Sequence, residues 1–273
     1  MASWCRTHGV SMAVMIVAVA YASVDAAGQA PPAGERPDLT GIWVSGPARP
    51  APAAKEDGSL QVYLALPGLN PDSPNVFKEM DAIAVARRAA SSNKPVYKES
   101  LLAKVKELSD LQAKLDPAFY CKLPGIPRMG APSQIVQNGN VIVLLYGDHT
   151  VFRVVHTDGR GHRDDVEPSY LGDSIGRWEG DTLVVDANQF TEDTWLGSDG
   201  YFHSPNMRVI ERFRRVGDVL HYSAIVDDPD VLAQPWEQTP RQLRLSTDPA
   251  DALVESPPCQ ERSAPHMTTN EHH

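Results

Sequence analysis

Three hairpin patterns in the second half of the chain constrain the fold more than any other feature. Each pattern sets a two-residue turn between two apolar runs: QIVQNGNVIVLLY around Asn138-Gly139, RWEGDTLVVDA around Gly180-Asp181, and RFRRVGDVLHYSAIV around Gly217-Asp218. Asn-Gly and Gly-Asp pairs favour tight hairpins because these turns require positive φ angles. The patterns therefore predict antiparallel strands joined by short turns.

Further strands are predicted at PDLTGIWVS, TVFRVVHT and RQLRLS, which brings the total to about eight to ten. No helical pattern separates the strands after Cys121, so a βαβ fold is not expected. Closure of the sheet removes exposed edges and is favoured over an open sandwich. We therefore predict a mainly β protein with a closed antiparallel barrel, which can hold a small ligand in its mouth.

The first half of the chain predicts a two-helix insertion at about residues 73–116. Ser73 can cap a helix and Pro74 suits its first turn, so one helix is predicted over Val76 to Ala90. The second helix is indicated by apolar residues at three- and four-residue spacing, which should pack on the main domain. These residues are Leu101, Val105, Leu108, Leu111 and Leu115.

The N-terminal segment has the pattern of a cleaved signal peptide over residues 1–26. An uncharged apolar run from Val10 to Val24 follows a short basic start and precedes small residues suited to cleavage. A flexible tether at 27–36, one domain at 37–262 and a disordered tail at 263–273 complete the predicted organisation. The protein is therefore expected in the periplasm or outside the cell, without a membrane span.

The net charge and the absence of nucleotide-binding motifs argue against several classes of partner. The chain carries a formal net charge of -10, and an acidic protein repels nucleic acid and anionic lipid surfaces. Neither a GxGxxG nor a GxxxxGK[ST] motif occurs, so no organic cofactor is predicted. The oligomeric state is left open by the sequence.

Two cysteines, Cys121 and Cys259, remain after removal of the signal peptide. In an exported protein such a pair favours a structural disulfide, and no CxxC motif indicates a redox role. The bridge would close a loop of more than a hundred residues.

Strand alternation places two charged side chains on inward faces. Glu211 shares a face with Met207, Val209 and Phe213, and Arg153 lies between two valines on its strand. A buried carboxylate must be paired, hydrogen-bonded or protonated. Glu211 is therefore either a general acid or base or the partner of Arg153, which could instead bind a substrate carboxylate or carbonyl.

The stretch HTDGRGHRDD, from His156 to Asp165, has three interpretations. His162 and Asp165 could form a base with its orienting carboxylate, or the stretch could be a solvated loop. A zinc site needs three or four ligands at defined spacing, and neither HxH nor HExxH occurs. We predict no metal there.

Aromatic residues and one further histidine gather in the segments after this loop. His203 follows an aromatic pair in a loop and could act in acid/base chemistry or cap a backbone group. The aromatic residues could form either the core or a substrate platform. The candidate substrate-binding residues are Arg153, Tyr170, Trp178, Trp195, Phe202 and Trp236.

Several segments together resemble a large family of exported bacterial proteins with a lipocalin-like β-barrel and no assigned biochemical role. They are PDLTGIW, CKLPGIPRM, the long block containing WEGDTLVVD, HSPNMRVIERF and DDPDVLAQPW. The resemblance spans roughly residues 37–262. It implies a calycin-type barrel and a cysteine near each end of the domain, here Cys121 and Cys259.

Two functions from different classes follow from these residues. The first is a cofactor-independent acid/base enzyme, such as a lyase, hydratase or isomerase, acting on an apolar or aromatic small molecule through His162, Asp165, His203 and Glu211. The second is a non-catalytic periplasmic carrier of a hydrophobic ligand. The acidic and imidazole groups would share one cavity in the enzyme, whereas apolar groups alone would line it in the carrier.

Overall fold

The computed structural model describes residues 36–46, Asn75, Ala82 and 91–256. These residues are mainly β structure, as the hairpin patterns predict. The strands are β1 (Gly41–Ser45), β2 (Gln134–Asn138), β3 (Val141–Tyr146), β4 (Val151–His156), β5 (Asp173–Glu179), β6 (Thr182–Asn188), β7 (Arg208–Val216), β8 (Val219–Asp227), β9 (Trp236–Glu237) and β10 (Arg241–Ser246).

Nine of the strands form a closed barrel. Strands β1 to β8 are neighbours in chain order, and β10 closes the ring because it pairs with both β1 and β8. The short strand β9 pairs with β8 outside this ring. The prediction of a closed barrel is therefore confirmed.

The prediction that every strand pair is antiparallel is wrong at one place. Strands β4 and β5 run parallel and share a single pair, His156 with Ile175. A parallel pair needs a long crossover connection, and residues 157–172 supply one of the required length. We call this weakly paired junction the seam.

All three predicted hairpins are present. The β5–β6 and β7–β8 turns have Gly180 at φ 60° and Gly217 at φ 59°, a region that glycine enters without steric cost. The β2–β3 turn lies one residue later than predicted, because Asn138 still pairs with Val141.

Helix α1 (Leu102–Asp110) is followed by the single turn α2 (Gln112–Leu115). Leu101, Val105 and Leu108 pack against the core as predicted, but Leu111 and Leu115 are exposed. The stripe ends there because the helix is interrupted at Leu111. Most of the first predicted helix, Val76 to Ala90, lies outside the described residues.

Apolar side chains from alternate strand positions pack into one core. The inward face of β7, with Val209, Glu211 and Phe213 buried, confirms the predicted alternation. The core cluster contains many large buried side chains. Among them are Trp43, Ile135, Ile142, Leu144, Leu183, Phe213, Leu220 and Tyr222.

Several sequence predictions fall on the chain ends. The signal peptide, the tether up to Glu35, Cys259 and the tail lie outside the described residues. Cys121, at the end of a short 3-10 turn, is within them, but the disulfide stays a prediction. No helix in the described ranges is long and apolar enough to cross a bilayer.

Candidate ligand pocket at the seam

A network of buried polar side chains crosses the barrel interior. Arg153 Nη2 donates to Glu211 Oε2 at 2.5 Å and to the Tyr146 hydroxyl at 2.6 Å. The Tyr222 hydroxyl donates to Glu211 Oε1 at 2.9 Å, so both oxygens of this carboxylate are occupied. Arg153 Nη1 reaches Ser174 Oγ at 3.3 Å. Of the two interpretations of Glu211, the geometry matches the ion pair with Arg153.

The surroundings of the network shift the pKa values of Tyr146, Tyr222 and Arg153. Burial raises the pKa of the Tyr146 and Tyr222 hydroxyls, and the Glu211 carboxylate raises it further. Burial opposes the charge of Arg153, but the adjacent Glu211 outweighs it and raises the pKa of the guanidinium. Arg153, which forms an ion pair with Glu211, is therefore a charged guanidinium beside two neutral phenols.

A cavity of about 340 Å³ opens at the seam, where β4 and β5 separate on one side of their single pair. Its wall includes the exposed side chains of Phe152 and Val154, and Arg153 lies between them in sequence. We call this cavity the seam pocket. Its lining residues are Leu123, Phe152, Arg153, Val154, Arg163, Ser169, Tyr170, Leu171, Gly172, Asp173 and Ser174.

The seam pocket contacts both faces of the barrel wall. Ser174 faces inward beside Arg153, whereas its neighbour Asp173 faces outward toward the crossover loop. Successive residues of a fully paired strand lie on opposite sides of a sheet and rarely share a cavity. They do so here because no backbone ladder fills the gap between β4 and β5.

His162 lies on the outer face beside two nearly buried carboxylates. Its Nδ1 is 3.0 Å from Asp173 Oδ2, and its Nε2 is 3.6 Å from Asp186 Oδ1. Within the described residues, Nε2 is buried and has no hydrogen-bond partner. Asp173 is thus the orienting carboxylate of His162, rather than the Asp165 predicted from the sequence.

Arginines hold both of these carboxylates in the ionised form. Burial would raise the pKa of Asp173, but hydrogen bonds from His162 and Arg163 outweigh burial and lower it. The same balance lowers the pKa of Asp186, where Arg208 supplies the strongest opposing hydrogen bonds. Of these charged groups, Arg163 and Asp173 line the seam pocket.

His203 does not belong to the cluster formed by His162, Asp173 and Asp186. It is buried, its Nδ1 donates to the Ser204 carbonyl at 2.8 Å, and its Nε2 accepts from the Thr194 hydroxyl at 2.5 Å. A carbonyl accepts only, which fixes the proton on Nδ1 of the neutral ring. Burial lowers the pKa of His203. This geometry agrees with the interpretation that His203 caps a backbone group.

The remaining predicted site residues are dispersed. Trp178, Trp195 and Phe202 are buried in the core and do not line the seam pocket. Trp236 lines a different cavity, and Asp165 is exposed on the crossover loop. Of the ten predicted residues, the structure brings only Arg153 and Tyr170 to the seam pocket, with His162 one contact away.

Within the HTDGRGHRDD stretch, residues 158–161 and 163–165 form a solvated loop, whereas His156 ends β4 and Thr157 is buried. Arg160 hydrogen-bonds Asp158 and lowers the pKa of that exposed carboxyl to about 2. Among the described residues, no group of three or more histidine, cysteine, aspartate or glutamate side chains is placed to hold a metal ion.

Sequence reasoning missed several members of the network and the pocket. Tyr146 and Tyr222 could have been found by strand alternation, since each continues an inward row of its strand. Asp173 and Asp186 carry no such signal, because their meeting with His162 depends on the path of residues 157–172. Ser174 and Phe152 become pocket residues only because the seam is open.

Comparison with known proteins yields no match: no family model, curated protein or solved structure matches this chain.

Proposed function

We propose that this protein is an exported binding protein for a small molecule held in the seam pocket. The observation that carries the proposal is the cavity of about 340 Å³ whose apolar wall surrounds the Arg153–Ser174 edge of the buried network. Concave sites with mostly apolar walls and a few fixed polar groups are typical of small-molecule sites.

The chemistry of the pocket suggests the class of ligand. Leu123, Phe152 and Val154 offer an apolar wall for an aliphatic or aromatic body. The charges are already compensated within the protein, Arg153 by Glu211 and Arg163 by Asp173. The proposed ligand is therefore neutral and apolar or aromatic, with one hydrogen-bond acceptor directed at Arg153 Nη1.

The test is to extract the protein under native conditions and identify any co-purifying small molecule by mass spectrometry. Phe152→Ser should lower the affinity for the recovered molecule by about tenfold, because a large apolar contact is lost. Phe152 is 63% exposed, so its replacement should leave the free energy of unfolding nearly unchanged.

Val136→Ser is the matched control. Val136 is also an exposed apolar residue of the same barrel region, at 37% exposure, but it does not line the pocket. Its replacement should leave the affinity unchanged. Equal losses in both variants, or the absence of any bound molecule and of any saturable binding, would contradict the proposal.

Acid/base catalysis on the same ligand is a second candidate function. The observation that favours it is His162, whose Nδ1 is held by Asp173, a lining residue of the seam pocket. A histidine oriented by a carboxylate is a common general base. The protein should then convert the recovered molecule to a product of different mass or chirality, and His162→Gln should stop the conversion without weakening binding.

Export, the lipocalin-like character and membership of the resembled family belong to the same proposal. The apolar run at residues 10–24 and the Gly41-Ile42-Trp43 opening of the first barrel strand support them. Mass spectrometry of the protein from its native cell envelope should find an N-terminus near residue 27. A full-length cytoplasmic protein would contradict export.

A further inference from the structure

A second cavity of about 450 Å³ lies apart from the seam pocket and shares no lining residue with it. Three basic side chains, two aromatic rings and one carboxylate contribute to its lining. We call it the basic pocket and define it by Lys94, Arg128, Tyr201, Trp236, Arg241 and Asp199.

The charge of Arg128 is already used within the protein. Its guanidinium donates two hydrogen bonds of 2.7 Å to the two oxygens of Asp116, a fully buried carboxylate. This bidentate pair is structural, since it ties the 3-10 turn after α2 to the segment that lines the cavity. Arg128 therefore shapes the wall but offers no free charge.

Arg241, unlike Arg128, forms no ion pair with a described carboxylate. Its guanidinium packs on the backbone of Gly130, where a Cβ atom would lie 2.4 Å from Arg241 Nη1. When only the described residues are considered, three arginines lack a carboxylate within 4.0 Å: Arg36, Arg241 and Arg244. Because Arg241 lines the basic pocket, its guanidinium is available to an anionic ligand there.

Lys94 adds a second cation with no carboxylate partner in the described residues, and Asp199 adds one anion. The lining therefore carries one uncompensated positive charge, which a single negative charge would neutralise. The indole nitrogen of Trp236 is already bonded to Asn93 Oδ1 at 2.8 Å. Trp236 and Tyr201 therefore offer ring surface to a ligand, which suits a flat apolar body.

We propose that the basic pocket is a second ligand site, which binds an aromatic monoanion such as an aryl carboxylate. Arg241 and Lys94 bind the carboxylate, and the two aromatic residues contact the ring. The site is independent of the function proposed for the seam pocket.

The test is a calorimetric titration of the purified protein with naphthalene-2-carboxylate and with the neutral naphthalene-2-carboxamide. The carboxylate should bind saturably to one site, about tenfold more tightly than the carboxamide, because only the anion gains charge-assisted hydrogen bonds. Arg241→Gln should remove most of this difference, and Lys94→Gln should reduce it.

Arg244→Gln is the matched control for charge. Arg244 lies on the same strand, but its guanidinium donates to the Leu245 carbonyl and does not line the cavity. This variant should bind the carboxylate with an affinity within about twofold of the original protein, because Arg244 does not line the cavity. Phe152→Ser should also retain binding, which separates the two pockets.

Three results would overturn the inference. They are no saturable binding of the carboxylate, equal binding of the carboxamide, and an equal loss in Arg241→Gln and Arg244→Gln. Circular dichroism and the thermal midpoint establish that each variant is folded. If Arg241→Gln does not fold, Lys94→Gln decides the question, because Lys94 is an exposed side chain outside the strands.

Discussion

Glu211 is the residue on which the barrel interior depends most. Its carboxylate accepts from Arg153 at 2.5 Å and from Tyr222 at 2.9 Å, and it has no exposed surface. Glu211→Gln leaves a buried guanidinium without its counter-charge. We expect the variant to lose about 3–5 kcal/mol of unfolding free energy, measured by urea denaturation.

The paired replacement separates charge from packing. Arg153→Met combined with Glu211→Leu removes both charges and keeps most of the volume, so it should recover part of the loss. The recovery is incomplete because the buried hydroxyls of Tyr146 and Tyr222 lose their partners. A single Glu211→Gln variant as stable as the original protein would show that the ion pair is dispensable and would return Glu211 to the list of catalytic candidates.

At the residue scale, the sequence predicted which charged side chains are buried better than it predicted their hydrogen-bond partners. Alternation along β4 and β7 was enough to place Arg153 and Glu211 inward and to suggest their pairing. The same reasoning could not find Asp173 as the partner of His162. The two residues are eleven apart along an irregular loop, and no repeat relates them.

At the scale of elements, the seam depends on a glycine in β5. A Cβ atom at Gly176 would lie 2.7 Å from Val155 Cγ1 and 2.9 Å from Thr157 Cγ2. Gly176→Ala should therefore push β5 from β4 and lower the free energy of unfolding by about 1–3 kcal/mol. Urea denaturation measures this loss.

Gly161→Ala is the control for this prediction. A Cβ atom at Gly161 meets no atom within 4 Å, so the change should stay within about 0.5 kcal/mol. An equally small effect at Gly176 would mean that β4 and β5 are not in close contact at this point.

The seam also shows why hairpins are easier to predict than crossovers. Turn chemistry located the three hairpins within one residue. The β4–β5 connection, residues 157–172, carries no comparable signal for the parallel pairing that it allows. Turn residues indicate where the chain bends. The parallel pairing of two strands depends instead on packing between residues that are far apart in the sequence.

At the scale of the whole molecule, the predicted Cys121–Cys259 bridge would tie the C-terminal region to the connection between β1 and β2. Chain entropy sets its contribution at about 4–5 kcal/mol at most. Reduction, or Cys259→Ser, should lower the thermal midpoint of the protein purified from the oxidising compartment. Alkylation before reduction should modify neither cysteine; modification of both at that stage would contradict the bridge.

The pairing of the closing strand β10 with β1 makes the barrel suitable for circular permutation. Strands β1 and β10 are adjacent and antiparallel, with Ile42 opposite Ser246, so the barrel's own beginning and end meet at one point of the ring. Joining these ends by a short peptide and starting the chain at Gly217-Asp218 would preserve every other neighbour relation. The strand arrangement of this barrel does not depend on which strand comes first in the chain.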